Sequence, residues 1–219
     1  MNANSFIWWD WVGRHTDEIR DATLEHLRLT LIAVAVGFAL SMVLAVIALR
    51  WRWTYAPIAG LAGFLYTIPS LALFATLVTF TGFTTLTAEI GLVSYTLLIL
   101  VRNIVEGINA VPESVLEAAD GMGLGRRRRF LTVELPLAAP AIVAGLRIAT
   151  VTTVGLVTVT GLIGQGGYGA FIDSGLDRSF STEVVVGGGL SVVMAVVLDF
   201  VLIGAERITS PWTRARAER

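Results

Sequence analysis

The chain has 219 residues, of which 55% are hydrophobic and 15% are charged. These proportions are typical of a membrane protein with several spans and exclude an ordinary soluble domain. The chain has no cysteine, which excludes disulfides and thiolate metal sites. It also has no lysine, which excludes a phosphate-binding P-loop, so any ATP that the protein uses is expected to bind another chain.

No metal ion, cofactor or nucleic-acid partner is predicted for this chain. Both histidines, His15 and His26, lie within residues 1–26, an acidic and aromatic segment that we expect at the outer membrane surface. We therefore expect no histidine metal site or proton relay inside the membrane.

Apolar runs long enough for helical crossings follow this segment, since about 20 apolar residues span a bilayer. Residues 29–49 form an uncharged run closed by Arg28 and Arg50. Residues 53–88 are also uncharged but are too long for one crossing. We expect a break at Pro69, with a first piece at residues 56–66 and the main crossing at residues 70–82.

Three further spans are predicted, at residues 90–108, 137–160 and 184–204, with a basic tail at residues 207–219. With five spans the termini lie on opposite sides, and most arginines fall on the side of the C-terminus. Those arginines are Arg50, Arg52, Arg102, Arg126, Arg127, Arg128, Arg129, Arg207, Arg214, Arg216 and Arg219. This bias predicts that the C-terminal side is cytoplasmic and that the N-terminus is outside.

Charged side chains inside spans are usually paired or functional. Arg102 and Glu106 are four residues apart on the third span, which favours a local ion pair. Arg147 and Asp199 lie in the fourth and fifth spans, where we expect them to pair between helices.

The predicted break could expose backbone groups to a water-filled passage. The candidate residues for the lining of this passage are Tyr66, Thr67, Pro69 and Ser70. A kink that only packs helices together is the alternative.

The polar loop between the third and fourth spans predicts a short helix after Pro112. Val115, Ala119 and Met122 share one face, and the small Ala118 and Ala119 permit close approach of another backbone. Glycines at 121, 123 and 125 are expected to end this helix. Arg126–Arg129 follow, and the alternative for them is a loop whose arginines contact anionic lipid.

This loop resembles the EAA loop of bacterial ABC importer permeases. The matching positions are Glu117, Ala118, Ala119, Gly123, Val133, Leu135 and Pro136. The segments YTIPSLAL, VRN, GLIGQGGYG and LDF, which start at Tyr66, Val101, Gly161 and Leu198, resemble the osmoprotectant branch, whose members carry quaternary amines such as glycine betaine, choline and carnitine. The methionine branch is similar in size and in its five-span layout.

The resemblance implies an all-α protein with the type I ABC importer transmembrane domain at residues 27–206, located in the bacterial cytoplasmic membrane. It implies a cytoplasmic ATPase dimer, a second permease chain (the same or a sister subunit) and an extracellular or periplasmic binding protein as partners. Glu117 would contact the ATPase, Ala118 and Ala119 would pack closely against it, and Gly123 would set the angle of the coupling helix. No catalytic residue is expected in this chain.

Three alternatives remain open from the sequence. The first is a permease for methionine or another small amino acid or amine. The second is an ion-coupled secondary transporter, which would need a carboxylate or ion site near the bilayer midplane. The third is a structural membrane subunit without a transport role.

Overall fold

A computed structural model describes residues 7–209, so that most of the predicted basic tail lies outside the described residues. Within this range the chain forms α-helices and no strand. The helices are α1 (Trp9–Arg14), α2 (Thr16–Arg50), α3 (Tyr55–Thr67), α4 (Ser70–Thr81), α5 (Thr85–Asn109), α6 (Glu113–Gly121), α7 (Arg126–Arg129), α8 (Leu135–Val159), α9 (Tyr168–Asp177) and α10 (Ser181–Thr209). The predicted all-α class is confirmed.

Among residues 7–209, four helical runs are long and apolar enough to cross a membrane, and a bent helix pair supplies a fifth crossing if it counts as one span. The long runs are Thr16–Arg50, Thr85–Asn109, Arg126–Ile163 and Ser181–Arg207. Each contains one of the predicted spans. In the third run, a π-helical turn at Phe130–Glu134 joins α7 to α8, so the arginines belong to the helix itself.

The bent pair consists of α3 and α4, which meet at an angle of 97°. Ile68 and Pro69 are extended between them, with ψ angles of 127° and 132°. Proline removes a helical hydrogen bond and disfavours helical geometry in the residue before it, which explains the predicted break. Our prediction that residues 70–82 form the main crossing is wrong. At about 1.5 Å per residue, α4 is about 18 Å long and is too short to cross a bilayer core of about 30 Å.

Helix α2 begins well before the apolar run that marks the first span. Its 35 residues start at Thr16, so the second half of the predicted surface segment belongs to this helix. At about 1.5 Å per residue the helix is about 50 Å long, longer than the bilayer core requires. The apolar run therefore identifies the membrane-embedded part of α2 and not the start of the helix.

Helix α5 lies at the centre of the bundle, packed between α2 and α8 and also against α3 and α4. Its close contacts depend on glycines. A Cβ atom at Gly37, Gly91, Gly107 or Gly145 would lie within 3.0 Å of Thr96, Phe74, Ala141 or Asn103, respectively. Small residues at such contacts allow helices in a membrane to approach closely.

A pair of glycines in α8 tests this packing. A Cβ atom at Gly145 would lie 2.4 Å from the Cβ atom of Asn103 on α5, whereas a Cβ atom at Gly155 has nothing within 4 Å. Both Gly145→Ala and Gly155→Ala gain about 1 kcal/mol of helix propensity. We expect Gly145→Ala nevertheless to lower the free energy of unfolding by about 1–3 kcal/mol, because it overpacks the α5–α8 contact.

The measurement is the thermal unfolding of the detergent-purified chain, followed by tryptophan fluorescence. Gly155→Ala is expected to unfold at or above the wild-type temperature. Equal unfolding temperatures for the two variants would contradict the close α5–α8 contact.

Candidate functional site

Helix α6 presents one side to the chain and the other to its surroundings. Ala119 is buried, with 1% of its surface exposed, whereas Glu117 and Ala118 are exposed and Met122 is 72% exposed. The predicted face of Val115, Ala119 and Met122 is thus covered only in part. Of the two alanines predicted to pack against a partner, only Ala118 lies at the surface.

The end of α6 requires glycine at position 123. Gly123 has φ +76°, a left-handed conformation that other residues adopt at a cost. The Gly123 amide donates to the Asp120 carbonyl at 2.9 Å, and the Leu124 amide donates to the Ala119 carbonyl at 3.1 Å. These two bonds form a Schellman motif, which fixes the direction in which the chain leaves α6. Gly125 differs from our expectation, because it begins α7 instead of ending α6.

Arg129 connects the end of α6 to the start of the long third run. Its Nη1 atom lies 2.5 Å from Asp120 Oδ2, and its Nε atom donates to Glu134 Oε1 at 2.9 Å. Through these two ion pairs, Arg129 connects α6 to the π-helical turn. This turn leads into Leu135 and Pro136, which are half-buried. Sequence reasoning missed this connection, because it treated the four arginines as one feature.

Two charged side chains meet between α8 and α10. Arg147 Nε donates to Asp199 Oδ1 at 2.7 Å, and Arg147 Nη2 donates to Asp199 Oδ2 at 3.0 Å. Glu206 Oε2 lies 3.9 Å from Arg147 Nη1. Side-chain exposures are 31% for Arg147 and 30% for Asp199, so both charges are largely covered by the chain.

The predicted pair of Arg102 and Glu106 does not form. Both residues are exposed, and no ion pair within 4.0 Å joins them among the described side chains. An exposed pair of this kind gains too little energy to hold two long side chains in one geometry.

The break between α3 and α4, residues 66–70, forms an elbow that contacts the middle of α5. The Tyr95 hydroxyl on α5 donates to the Ile68 carbonyl, which the break leaves without a helical partner. The rings of Tyr66 and Tyr95 are 5.8 Å apart and meet edge to face. Thr67 and Pro69 are exposed beside Tyr66, and Ser70 is half-buried at the start of α4.

The glycine-rich turn before α9 packs against the first half of α2. A Cβ atom at Gly167 would lie 2.4 Å from the Ala22 carbonyl oxygen, which explains why glycine occupies this position. The Tyr168 hydroxyl donates to Thr23 Oγ1 at 2.9 Å, and the Gly167 amide donates to Glu25 Oε2 at 3.3 Å. The turn therefore holds α2, α8 and α9 together.

His26 lies inside the helix bundle and not in a surface segment. Its side chain is fully buried, with Nε2 3.1 Å from the Val154 carbonyl oxygen and its ring 4.7 Å from that of Tyr168. The expectation that both histidines lie outside the bundle is wrong for His26, because α2 starts earlier than its apolar run. No group of three metal-ligating side chains occurs within residues 7–209.

Glu89 is a second buried polar residue that sequence reasoning missed. It lies in the second turn of α5, and both of its carboxylate oxygens are buried without a hydrogen-bond partner in the described part of the chain. Its position just before the predicted third span gave no signal of burial.

Comparison with known proteins gives consistent matches over most of the chain. Residues 37–215 match the family described as the binding-protein-dependent transport system inner membrane component. The choline transport system permease protein OpuBB of Bacillus subtilis (strain 168) is 36% identical over 195 residues, which cover 89% of each chain. The glycine betaine/carnitine/choline transport system permease protein OpuCB of the same organism is 34% identical, again over 89% of each chain.

A third relative and a solved structure extend these matches. The osmoprotectant import permease protein OsmW of Salmonella typhimurium is 31% identical, over 86% of this chain and 90% of the relative. An inward-facing structure of the MetNI methionine ABC transporter aligns with a TM-score of 0.77 over 90% of this chain and 98% of its own. At 20% identity this likeness concerns the fold alone, and it confirms the predicted transmembrane architecture.

The Arg147–Asp199 pair leads to a test by double substitution. We expect Asp199→Asn to lower the free energy of unfolding by about 2 kcal/mol, because it removes the charge that pairs closely with Arg147 within the spans and leaves only the more distant Glu206 near it. Adding Arg147→Gln removes that charge and should restore most of the loss. The measurement is the thermal unfolding of single and double variants in detergent, and a double variant as unstable as Asp199→Asn would count against the pairing.

Proposed function

This chain belongs to the family of binding-protein-dependent transport system inner membrane components, and we propose that it is the permease of an ATP-driven osmoprotectant importer. The substrates would be quaternary amines such as glycine betaine, choline and carnitine. The observation that carries the proposal is the similarity to a choline transport permease along 89% of both chains. The EAA loop matches at every specified position, and it supports coupling to a separate ATPase.

The work of such an importer is divided among subunits. A permease of this family functions in the membrane with an ATPase and a substrate-binding protein. We propose a cytoplasmic ATPase dimer, a second permease chain of the same or a related sequence, and an extracellular or periplasmic binding protein. In this division the present chain forms the passage and hydrolyses no ATP.

Coupling would occur through the exposed side of α6. Glu117 provides a carboxylate for a polar contact, and Ala118 beside it is small enough for a close approach of the ATPase backbone. Ala119 has the opposite role, because it is buried against its own chain and holds α6 in place. The Schellman motif at Gly123 and the two ion pairs of Arg129 keep α6 at a fixed angle to α8.

The passage would run along the elbow at residues 66–70. A break in a membrane helix is tolerated where the freed backbone groups are hydrogen-bonded or face water. Tyr95 satisfies the Ile68 carbonyl, while Thr67 and Pro69 remain exposed. Tyr66 adds an aromatic ring, a group that attracts quaternary ammonium ions electrostatically.

The alternatives receive less support from the molecule. The likeness to a methionine transporter is one of fold alone, whereas the similar sequences are named for choline, glycine betaine and carnitine. An ion-coupled transporter would need an ion site near the bilayer midplane, and Glu89 is a single carboxylate near the start of α5. A purely structural subunit would not need the matched EAA loop.

Substrate competition tests the proposed function. The chain is reconstituted in proteoliposomes with its ATPase and binding protein, and uptake of labelled choline is measured. We expect ATP-dependent uptake that excess glycine betaine or carnitine reduces. Methionine in about 100-fold excess over the labelled choline should leave this uptake unchanged. Uptake without ATP, or competition by methionine in place of the quaternary amines, would contradict the proposal.

The coupling role of Gly123 is tested with two separate variants, each of which places one negative charge at one of two nearby glycines. In Gly123→Asp the new aspartate would have to adopt the left-handed conformation of Gly123, which costs an L-residue about 1–2 kcal/mol. The direction of the chain after α6 should therefore change. We expect uptake to fall at least about tenfold, because a free-energy cost of this size corresponds to a factor of roughly ten in rate. ATP hydrolysis should be retained.

Gly121→Asp is the matched control, because Gly121 is helical, is exposed and has nothing within 4 Å of an added Cβ atom. It should retain most uptake, because it adds the same charge at a position that already has helical geometry. Normal uptake by Gly123→Asp, or equal losses at both positions, would refute the backbone argument.

A further inference from the structure

A cavity of about 1100 Å³ lies between the loop that contains α6 and α7 and the adjacent ends of α2 and α5. Its inner wall is apolar and includes buried Ala48, Val105 and Ile108. Leu116 and Phe130 continue this apolar wall on the side of α6 and the π-helical turn. The cavity is thus open to a ligand with an apolar part.

Arginines line the polar side of the same cavity. They are Arg50, Arg52, Arg126, Arg127 and Arg129. Arg129 is engaged by Asp120 and Glu134, but the other four form no ion pair within 4.0 Å among the described residues. Glu106 and Glu113 also line the cavity, so the four unpaired arginines outnumber the unpaired carboxylates. The cavity therefore has a net positive charge that favours an anion.

Two tryptophans place this cavity at the level of the lipid headgroups. Arginines and tryptophans alternate from Arg50 to Trp53, directly after the first membrane-spanning helix. Trp51 is 51% exposed and Trp53 is 77% exposed. Exposed tryptophans at the end of a span are typical of the membrane–water interface. Arg50 and Arg52, which alternate with them, lie at the same depth.

We propose that this cavity binds an anionic phospholipid of the leaflet on the side of the EAA loop. The lipid phosphate would accept charge-assisted hydrogen bonds from Arg126 and Arg127 of α7 and from Arg50 of α2. Its acyl chains would lie along the apolar wall and the exposed Val46 at the mouth. Free phosphate would satisfy the arginines and would leave this apolar wall without a partner.

The surface proposed for the ATPase is distinct from this cavity. Glu117 and Ala118 of α6 and Met122 directly after it are exposed, and none of them lines the cavity. A lipid in the cavity would connect the end of α2 to α7, which adjoins α6, and would stabilise the position of α6 from the membrane side. This role does not depend on which substrate the chain carries.

The experiment compares two double variants that remove equal charge on the same predicted side of the membrane. Arg126→Gln/Arg127→Gln removes two arginines of the cavity. Arg102→Gln/Arg128→Gln removes two exposed arginines that do not line it. Delipidated full-length chain is titrated with phosphatidylglycerol or phosphatidylcholine, and bound lipid is counted by native mass spectrometry.

We expect one phosphatidylglycerol to bind in preference to phosphatidylcholine. The cavity variant should weaken its binding about tenfold, while the control variant stays within about twofold, since each nearby arginine contributes to the attraction of an anionic headgroup. Millimolar inorganic phosphate should not displace the lipid. If the cavity variant does not fold, the single variants Arg127→Gln and Arg128→Gln make the same comparison.

Four results would overturn the proposal. Equal losses in the cavity and control variants would show only a general charge effect, and equal binding of both lipids would exclude a site that selects a net anionic headgroup. Displacement by inorganic phosphate would assign the cavity to a free anion. Loss of ATPase co-purification in the cavity variant, with lipid binding unchanged, would assign these arginines to the ATPase interface.

Discussion

The close approach of α5 to its neighbours is the constraint on which the rest of the structure depends. In a bilayer the lipid tails are as apolar as the side chains, so helices associate through tight contact and not through the hydrophobic effect. Glycines on α2, α5 and α8 provide this contact, because a Cβ atom at Gly37, Gly91 or Gly145 would overlap the opposite helix. Helix α5 is therefore fixed on several sides by backbone-level packing.

Both proposed functional features are attached to this central helix. Tyr95, in the middle of α5, holds the Ile68 carbonyl of the elbow, and the chain passes from the end of α5 through Pro112 directly into α6. The distance along α5 from Asn109 to Tyr95 is about 21 Å at 1.5 Å per residue. Since α6 is also tied to α8 through Arg129, a displacement of α6 would move packed helices and not a loop alone.

Local patterns in the sequence predicted four of the spans, the break at Pro69 and the glycine turn after α6, because each depends on neighbouring residues. Hydropathy reports what lies in the membrane, and proline breaks a helix wherever it lacks compensation. Contacts between residues that are far apart in the sequence could not be predicted in this way. Helical spacing placed Val115, Ala119 and Met122 on one face without showing which of them the chain covers. The burial of His26 and Glu89 likewise depends on helices that are far away in sequence.

The run Arg126–Arg129 shows why a charge pattern alone does not assign roles. In the sequence these four residues form one basic feature that sets membrane orientation, but in a helix successive side chains point in directions about 100° apart. Arg129 consequently meets Asp120 and Glu134, Arg126 and Arg127 line the cavity, and Arg128 lies outside it. The same four charges therefore supply a structural contact, a candidate anion site and a solvent-exposed position, and only the helical geometry separates these roles.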